Sequence, residues 1–144
     1  MRIVITAAVL FAIAGCARPS KISATLDITR KSPDIVLVML RSKNLEDRAT
    51  TPIAPEVTVQ TRAGRTWEKP MSAIHPAAFV LNRREQRDIF KVLHTNADLV
   101  RATLVIKEQE SGHVLTNQRF ERAVTLPPQV PSTGAPATPP PPDK

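Results

Sequence analysis

Ile22, Ala24, Leu26 and Ile28 alternate with Ser23, Thr25, Asp27 and Thr29. That period of two predicts a strand with one face buried. Ile35 to Leu40 is instead six consecutive apolar residues between Pro33-Asp34 and Arg41-Ser42. Its length and β-branched content predict a strand buried on both faces. Val57 and Val59 alternate with Thr58 and Gln60, and Ala63-Gly64 reads as a hairpin turn into Arg65 to Glu68, which carries Trp67. Ala73 to Leu81 is a further expected strand, part of it an edge because Pro76 lacks a donor. Gln86 to Leu93 and Leu99 to Lys107 are separated by Thr95-Asn96-Ala97-Asp98, and Glu110-Ser111-Gly112 turns the second into Val114 to Leu126. The one helical expectation is a turn or two around Asn44 to Ala49, inside a loop from Ser42 to Pro55.

About seven short strands with no long helix predict an all-β fold, a single antiparallel β-sandwich over residues 21–126. In length and strand count this segment resembles immunoglobulin-like and fibronectin-type sandwiches. It lacks the Cys-Trp-Cys pattern of antibody domains, and the chain has no Tyr for a tyrosine corner. The expected core is Leu26, Ile28, Val36, Val38, Val57, Val59, Phe79, Phe90, Leu104, Ile106, Phe120 and Val124. A domain of this size buries enough surface to fold around one core without staples.

The two ends have a different composition. Met1-Arg2 precedes a run from Ile3 to Ile13 that is too short for the ~30 Å hydrocarbon core of a bilayer and fits the apolar region of a secretory signal. Ile13-Ala14-Gly15-Cys16 follows directly, and this tetrapeptide resembles the bacterial lipobox. The resemblance implies cleavage before Cys16 and diacylglycerol on its thiol. Residues 1–15 are then a signal peptide, and residues 16–20 an acylated Cys with a short tether. Two acyl chains anchor stably where one does not. Ala17 in second place, rather than Asp, implies the periplasmic face of a Gram-negative outer membrane. At the other end, residues 127–144 hold eight of the 14 prolines, and this composition predicts a disordered, partly polyproline II tail. Pro139, Pro140, Pro141 and Pro142 are its candidate docking residues.

One Cys excludes an internal disulfide framework. His75, His94 and His113 have no local metal-ligand spacing, so no metal site and no cofactor are expected. No nucleophile elbow, phosphate loop, dinucleotide fingerprint or zinc-protease helix is present, so no catalytic residue is assigned and the chain is not expected to be an enzyme. The net charge of +7 falls to +6 without Arg2, and 13 of the 20 cations are Arg. Arg83, Arg84 and Arg87 cluster at one turn, with Glu85 among them, and Arg62 and Arg65 flank another. These are candidate contacts for an anionic ligand, such as lipid headgroups, envelope glycans or an acidic partner. A secretory signal argues against nucleic acid.

The chain is therefore expected to be a membrane-anchored, non-enzymatic lipoprotein that binds another envelope protein and assists an assembly such as a secretion, conjugation or pilus machine. Its layout resembles pilotin-type and type VI secretion sandwich lipoproteins. The alternatives are a lipid or glycan binder using the Arg turns, and a structural lipoprotein that touches the cell wall through its tail.

Overall fold

Eight antiparallel strands make up the computed structural model, which describes residues 18–126. Cys16 and Pro139 to Pro142 lie outside the described residues. The strands are β1 (Ile22–Ser32), β2 (Ile35–Asn44), β3 (Ile53–Ala63), β4 (Thr66–Trp67), β5 (Met71–Ile74), β6 (Gln86–His94), β7 (Leu99–Glu108) and β8 (Val114–Ala123). One sheet has the order β1-β2-β6 and the other β4-β3-β7-β8, with β5 also paired to β3. Because β2 neighbours β6 and β3 neighbours β7, the connections cross between two facing sheets, an immunoglobulin-like sandwich.

The core lies between the sheets and is aliphatic. Val36, Val38 and Leu40 of β2 meet Val57 and Val59 of β3 and Leu104 and Ile106 of β7, joined by Ile53, Leu81 and Val100. Leu26, Phe79 and Phe120 pack against this cluster half-buried. Gly64 and Gly112 take φ of 66° and 68°, so glycine suits the β3–β4 and β7–β8 turns.

Four expectations need correction. Ala73 to Leu81 is not one strand: β5 ends at Ile74, and Phe79 returns only as an isolated bridge to Ile53. The loop expected to reach Pro55 ends sooner, because β3 starts at Ile53 and includes Pro55 opposite Ile106. The amide of Ile53 points to Phe79, away from β7. Pro55 has the same parity, so its missing donor also faces away from the β7 ladder.

No helix forms over Asn44 to Ala49, and the described residues contain none. The cause is Asn44, which is fully buried at the end of β2. Its carboxamide oxygen accepts the Glu46 amide at 2.9 Å, while its nitrogen donates to the carbonyls of Arg48 at 2.6 Å and Asn82 at 2.9 Å. This local side-chain bonding outcompetes a helical turn. The fourth correction, Phe90, belongs to the site.

The strand directions place the chain's two exits at opposite ends. The segment before β1 and the β2–β3 and β7–β8 connections share one end, the base. The β1–β2 turn, the β6–β7 loop and residues 124–126 share the other, the top. Strands of 10–11 residues separate the two by ~33–36 Å.

At the base, buried Glu108 accepts the Ser20 amide at 3.0 Å and the Ser111 hydroxyl at 2.8 Å. These hydrogen bonds, the Ser20 amide first, hold its carboxyl below the usual glutamate range. A depressed folded-state value adds stability that is present above the unfolded pKa and lost as pH falls through the folded one. The stability gap between the wild type and Glu108→Gln is therefore expected to be largest near neutrality and to close on acidification. Urea unfolding of both proteins across that range measures it, and a gap constant with pH would contradict the assignment.

Candidate functional site

The two outer faces of the sandwich differ sharply, and the difference is visible in the cross-strand pairs. Outward positions on β3, β7 and β8 are mostly polar, Val105 and the 46%-exposed Val114 being exceptions. Thr58 faces Thr103, Gln60 faces Arg101, and Arg101 and Thr103 in turn face Glu121 and Arg119. Arg101 bonds Glu121 at 2.8 Å, and its guanidinium stacks 4.3 Å from the centre of the Trp67 ring. Arg62 lies 5.3 Å from the same ring, a cation–π arrangement that covers the indole with charge and leaves the face wetted.

The face of β2 and β6 is the opposite. Val36, Val38 and Leu40 point into the core, which turns Ile35, Leu37 and Met39 outward. In the β2–β6 register Met39 lies opposite Phe90, and Leu37 opposite Val92. Phe90 is 69% exposed and Val92 40%, and Ile35, Leu37 and Met39 are half-buried only by their neighbours. An aromatic side chain seeks burial for most of its 150–250 Å², so this exposure leaves a large apolar area in water.

The run Ile35 to Leu40 is apolar on both sides, as its sequence says, but no described element covers the second side. Phe90, expected in the core, faces out because Ile89 and Leu93 have the parity that meets Leu40 and Val36, with exposed Lys91 between them at the open edge. Alternation alone would have revealed this, since Ile89 and Leu93 lie four apart.

The apolar stripe carries almost no free charge. At its base-side end Arg41 holds Asp88 through both Nε and Nη2, at 3.0–3.2 Å. The Arg41 hydrogen bonds keep the Asp88 carboxyl below the ordinary aspartate range, and Asp88 in turn raises the guanidinium. On the β1 flank Asp27 is bound by Arg122 at 3.0 Å. A groove of about 300 Å³ runs beside the stripe where β6 passes the edge of the other sheet, lined by Met71, Val92, Leu93 and Glu68 among others. No second strand pairs with β6 on that side among the described residues.

The arginines singled out from the sequence do not form one anion cradle. Arg62 and Arg65 sit at the top, the first over Trp67 and the second exposed in the turn. Arg83, Arg84 and Arg87 are at the base and are internally paired. Asp47 takes Arg84 at 2.9 Å and Arg83 at 3.4 Å. Glu85 takes Arg87 at 3.4 Å, and the Arg87 guanidinium lies 4.4 Å over Phe79. His94 ends β6 at the top and His113 follows the β7–β8 turn at the base, so the two stand at opposite ends of the sandwich.

No family model matches the chain, and no curated protein does. Among solved structures it is similar to a Pseudomonas fluorescens alkylpurine DNA glycosylase bound to DNA, at 11% identity and a TM-score of 0.48, over 76% of this chain and 32% of that one. It is also similar to the CARDB domain of PF1109 from Pyrococcus furiosus, at 12% identity and a TM-score of 0.45, over 74% and 94% of the two chains. A third is a Listeria innocua beta-glucosidase, at 12% identity and a TM-score of 0.45, over 73% and 16%. The chain thus spans about a third of the glycosylase and a sixth of the glucosidase. Likenesses this distant carry no argument about activity.

Proposed function

We propose that the protein is a non-enzymatic, lipid-anchored envelope lipoprotein, acylated on Cys16, that holds a partner protein against the outer face of the β1-β2-β6 sheet. The observation that carries this reading is the exposed stripe of Leu37, Met39, Phe90 and Val92. The anchor rests on Ile13-Ala14-Gly15-Cys16. An assembly accessory role, of the secretion, conjugation or pilus kind, suits a small domain held on a membrane with one dry face.

The chemistry of the stripe says what the partner offers. Arg41 and Asp88 satisfy each other, and Asp27 is taken by Arg122, so the face presents little net charge to an ionic ligand. It suits an uncharged, apolar protein surface, with Phe90 as the anchor to be buried in a pocket. A single lipid- or glycan-binding pocket built from all the Arg turns is less favoured, because Arg62 and Arg65 stand at the opposite end from Arg83, Arg84 and Arg87, and Glu85 takes Arg87.

Purification from membranes in mild detergent tests the reading. Wild type and the opposite-face variant Arg119→Glu should retain one envelope protein in stoichiometric amount, and Phe90→Asp should lose it. Cys16→Ser should leave the chain unacylated. Recovery of no partner, or equal recovery with Phe90→Asp, would overturn the docking reading, and acylation of Cys16→Ser would overturn the anchor.

A further inference from the structure

We infer that the base of the sandwich is itself a membrane-contacting surface, which rests Leu45 and a ring of cations on anionic phospholipid headgroups. This end gathers Arg18, Lys21, Arg48, Arg83 and Arg84 on three separate segments, against Glu46 and Asp47. With Arg87 and its partner Glu85 of the same turn added, six cations stand against three anions, a surplus of three. Asp47 is shared by two guanidiniums, so it neutralises only one charge of that pair. The side chains of Arg83, Arg84 and Arg48 remain more than half exposed. Leu45 stands among them, 43% exposed, between buried Asn44 and the charged loop. An apolar tip ringed by basic side chains is the chemistry that meets an anionic bilayer surface.

Two further observations point the same way. The segment before β1 is pinned into this end: the Arg18 carbonyl accepts from Arg48 at 3.1 Å, and the Lys21 amide donates to Glu46 at 3.3 Å. Cys16 is two residues from Arg18, which limits their separation to ~7 Å. On the anchored reading proposed above, the base is therefore the part of the domain that the acyl chains hold closest to the bilayer.

The second observation is backbone geometry. Arg84 has φ of 54°, and it is the non-glycine residue with positive φ among the described residues. Its turn is closed by the Glu85 amide bonding the Asn82 carbonyl at 3.0 Å, and glycine or asparagine would adopt that position without strain. Arginine occupies that position, and its guanidinium lies on the surface beside Asp47.

Vesicle sedimentation of the mature chain, residues 16–144 carrying Cys16→Ser, tests the inference without an acyl anchor or the apolar signal run. Binding to phosphatidylcholine vesicles containing phosphatidylglycerol is expected to be about a hundredfold tighter than to phosphatidylcholine alone. It should collapse in about 1 M salt, where the screening length is ~3 Å. Arg83→Glu with Arg84→Glu should bring it to the neutral-vesicle level, and Leu45→Ser, which touches none of the ion pairs, should weaken it. Phe90→Asp should bind vesicles as the parent does, so loss of the partner and loss of the membrane contact are read separately. Equal binding to both vesicle types, or no response to charge reversal, would overturn the inference.

Discussion

Arg30→Met is expected to lower the free energy of unfolding by about 3 kcal/mol, a large part of what a domain this size possesses. Arg30 is 5% exposed and sits at the top of the sandwich. Its Nε donates to the Val124 carbonyl at 2.9 Å, and its two Nη atoms reach the carbonyls of Ser32 at 3.2 Å, Thr95 at 3.3 Å, Pro33 and Ala97. One planar fork thus ties the β1–β2 turn, the β6–β7 loop and the residue after β8. No carboxylate pairs with it among the described residues, so carbonyl dipoles alone solvate the buried cation.

Methionine fills the space but leaves those acceptors without a donor, at about 1–3 kcal/mol for each that stays buried. Lysine keeps the charge and has no fork to span the three segments, so Arg30→Lys should recover only part of the loss. Urea unfolding of the three proteins measures this. Stability unchanged in Arg30→Met would show that the segments close the top without the guanidinium.

Phe90→Asp should have the opposite signature: a large loss of partner binding with little loss of stability. The ring is 69% exposed, so folding gains little from it and the cost should stay under about 1 kcal/mol. In the complex the same ring is the largest apolar group available for burial. Removing an anchor of this kind costs 2 kcal/mol or more, about a thirtyfold loss of affinity, and a carboxylate adds a desolvation penalty. Unfolding and partner titration of the same preparation separate the two quantities. A variant that unfolds early and binds weakly would return Phe90 to the core.

The sheet layout was largely legible because period-two patterning survives wherever one face is wet, as in β1 and β3. Val36, Val38, Val57, Val59, Leu104 and Ile106, all expected in the core, are buried. Legibility failed where a local rule met a stronger long-range one. The 44–49 segment has helix-compatible residues, yet the Asn44 side chain also binds the Leu81 and Asn82 carbonyls, which only the folded chain brings to it. The exposed apolar face was hidden for a related reason. A run apolar on both sides reads as doubly covered, and nothing within a strand distinguishes a second layer of the same chain from a missing partner. Phe90 was misplaced with it, although its parity relative to Ile89 and Leu93 was available. The pairing of Arg83 and Arg84 by Asp47 lay beyond sequence reach, since the residues are 36 and 37 positions apart and meet only at the base.

Site-specific photocross-linking in intact cells tests the central claim most directly. A photoreactive phenylalanine analogue placed at Phe90, Met39 or Val92 should yield one discrete adduct with another envelope protein. The same analogue at Thr103, on the opposite face, should yield none. Adducts of equal yield from both faces, an adduct at twice the chain mass, or a link only to residues 127–144 would contradict a heterologous partner on the β1-β2-β6 face.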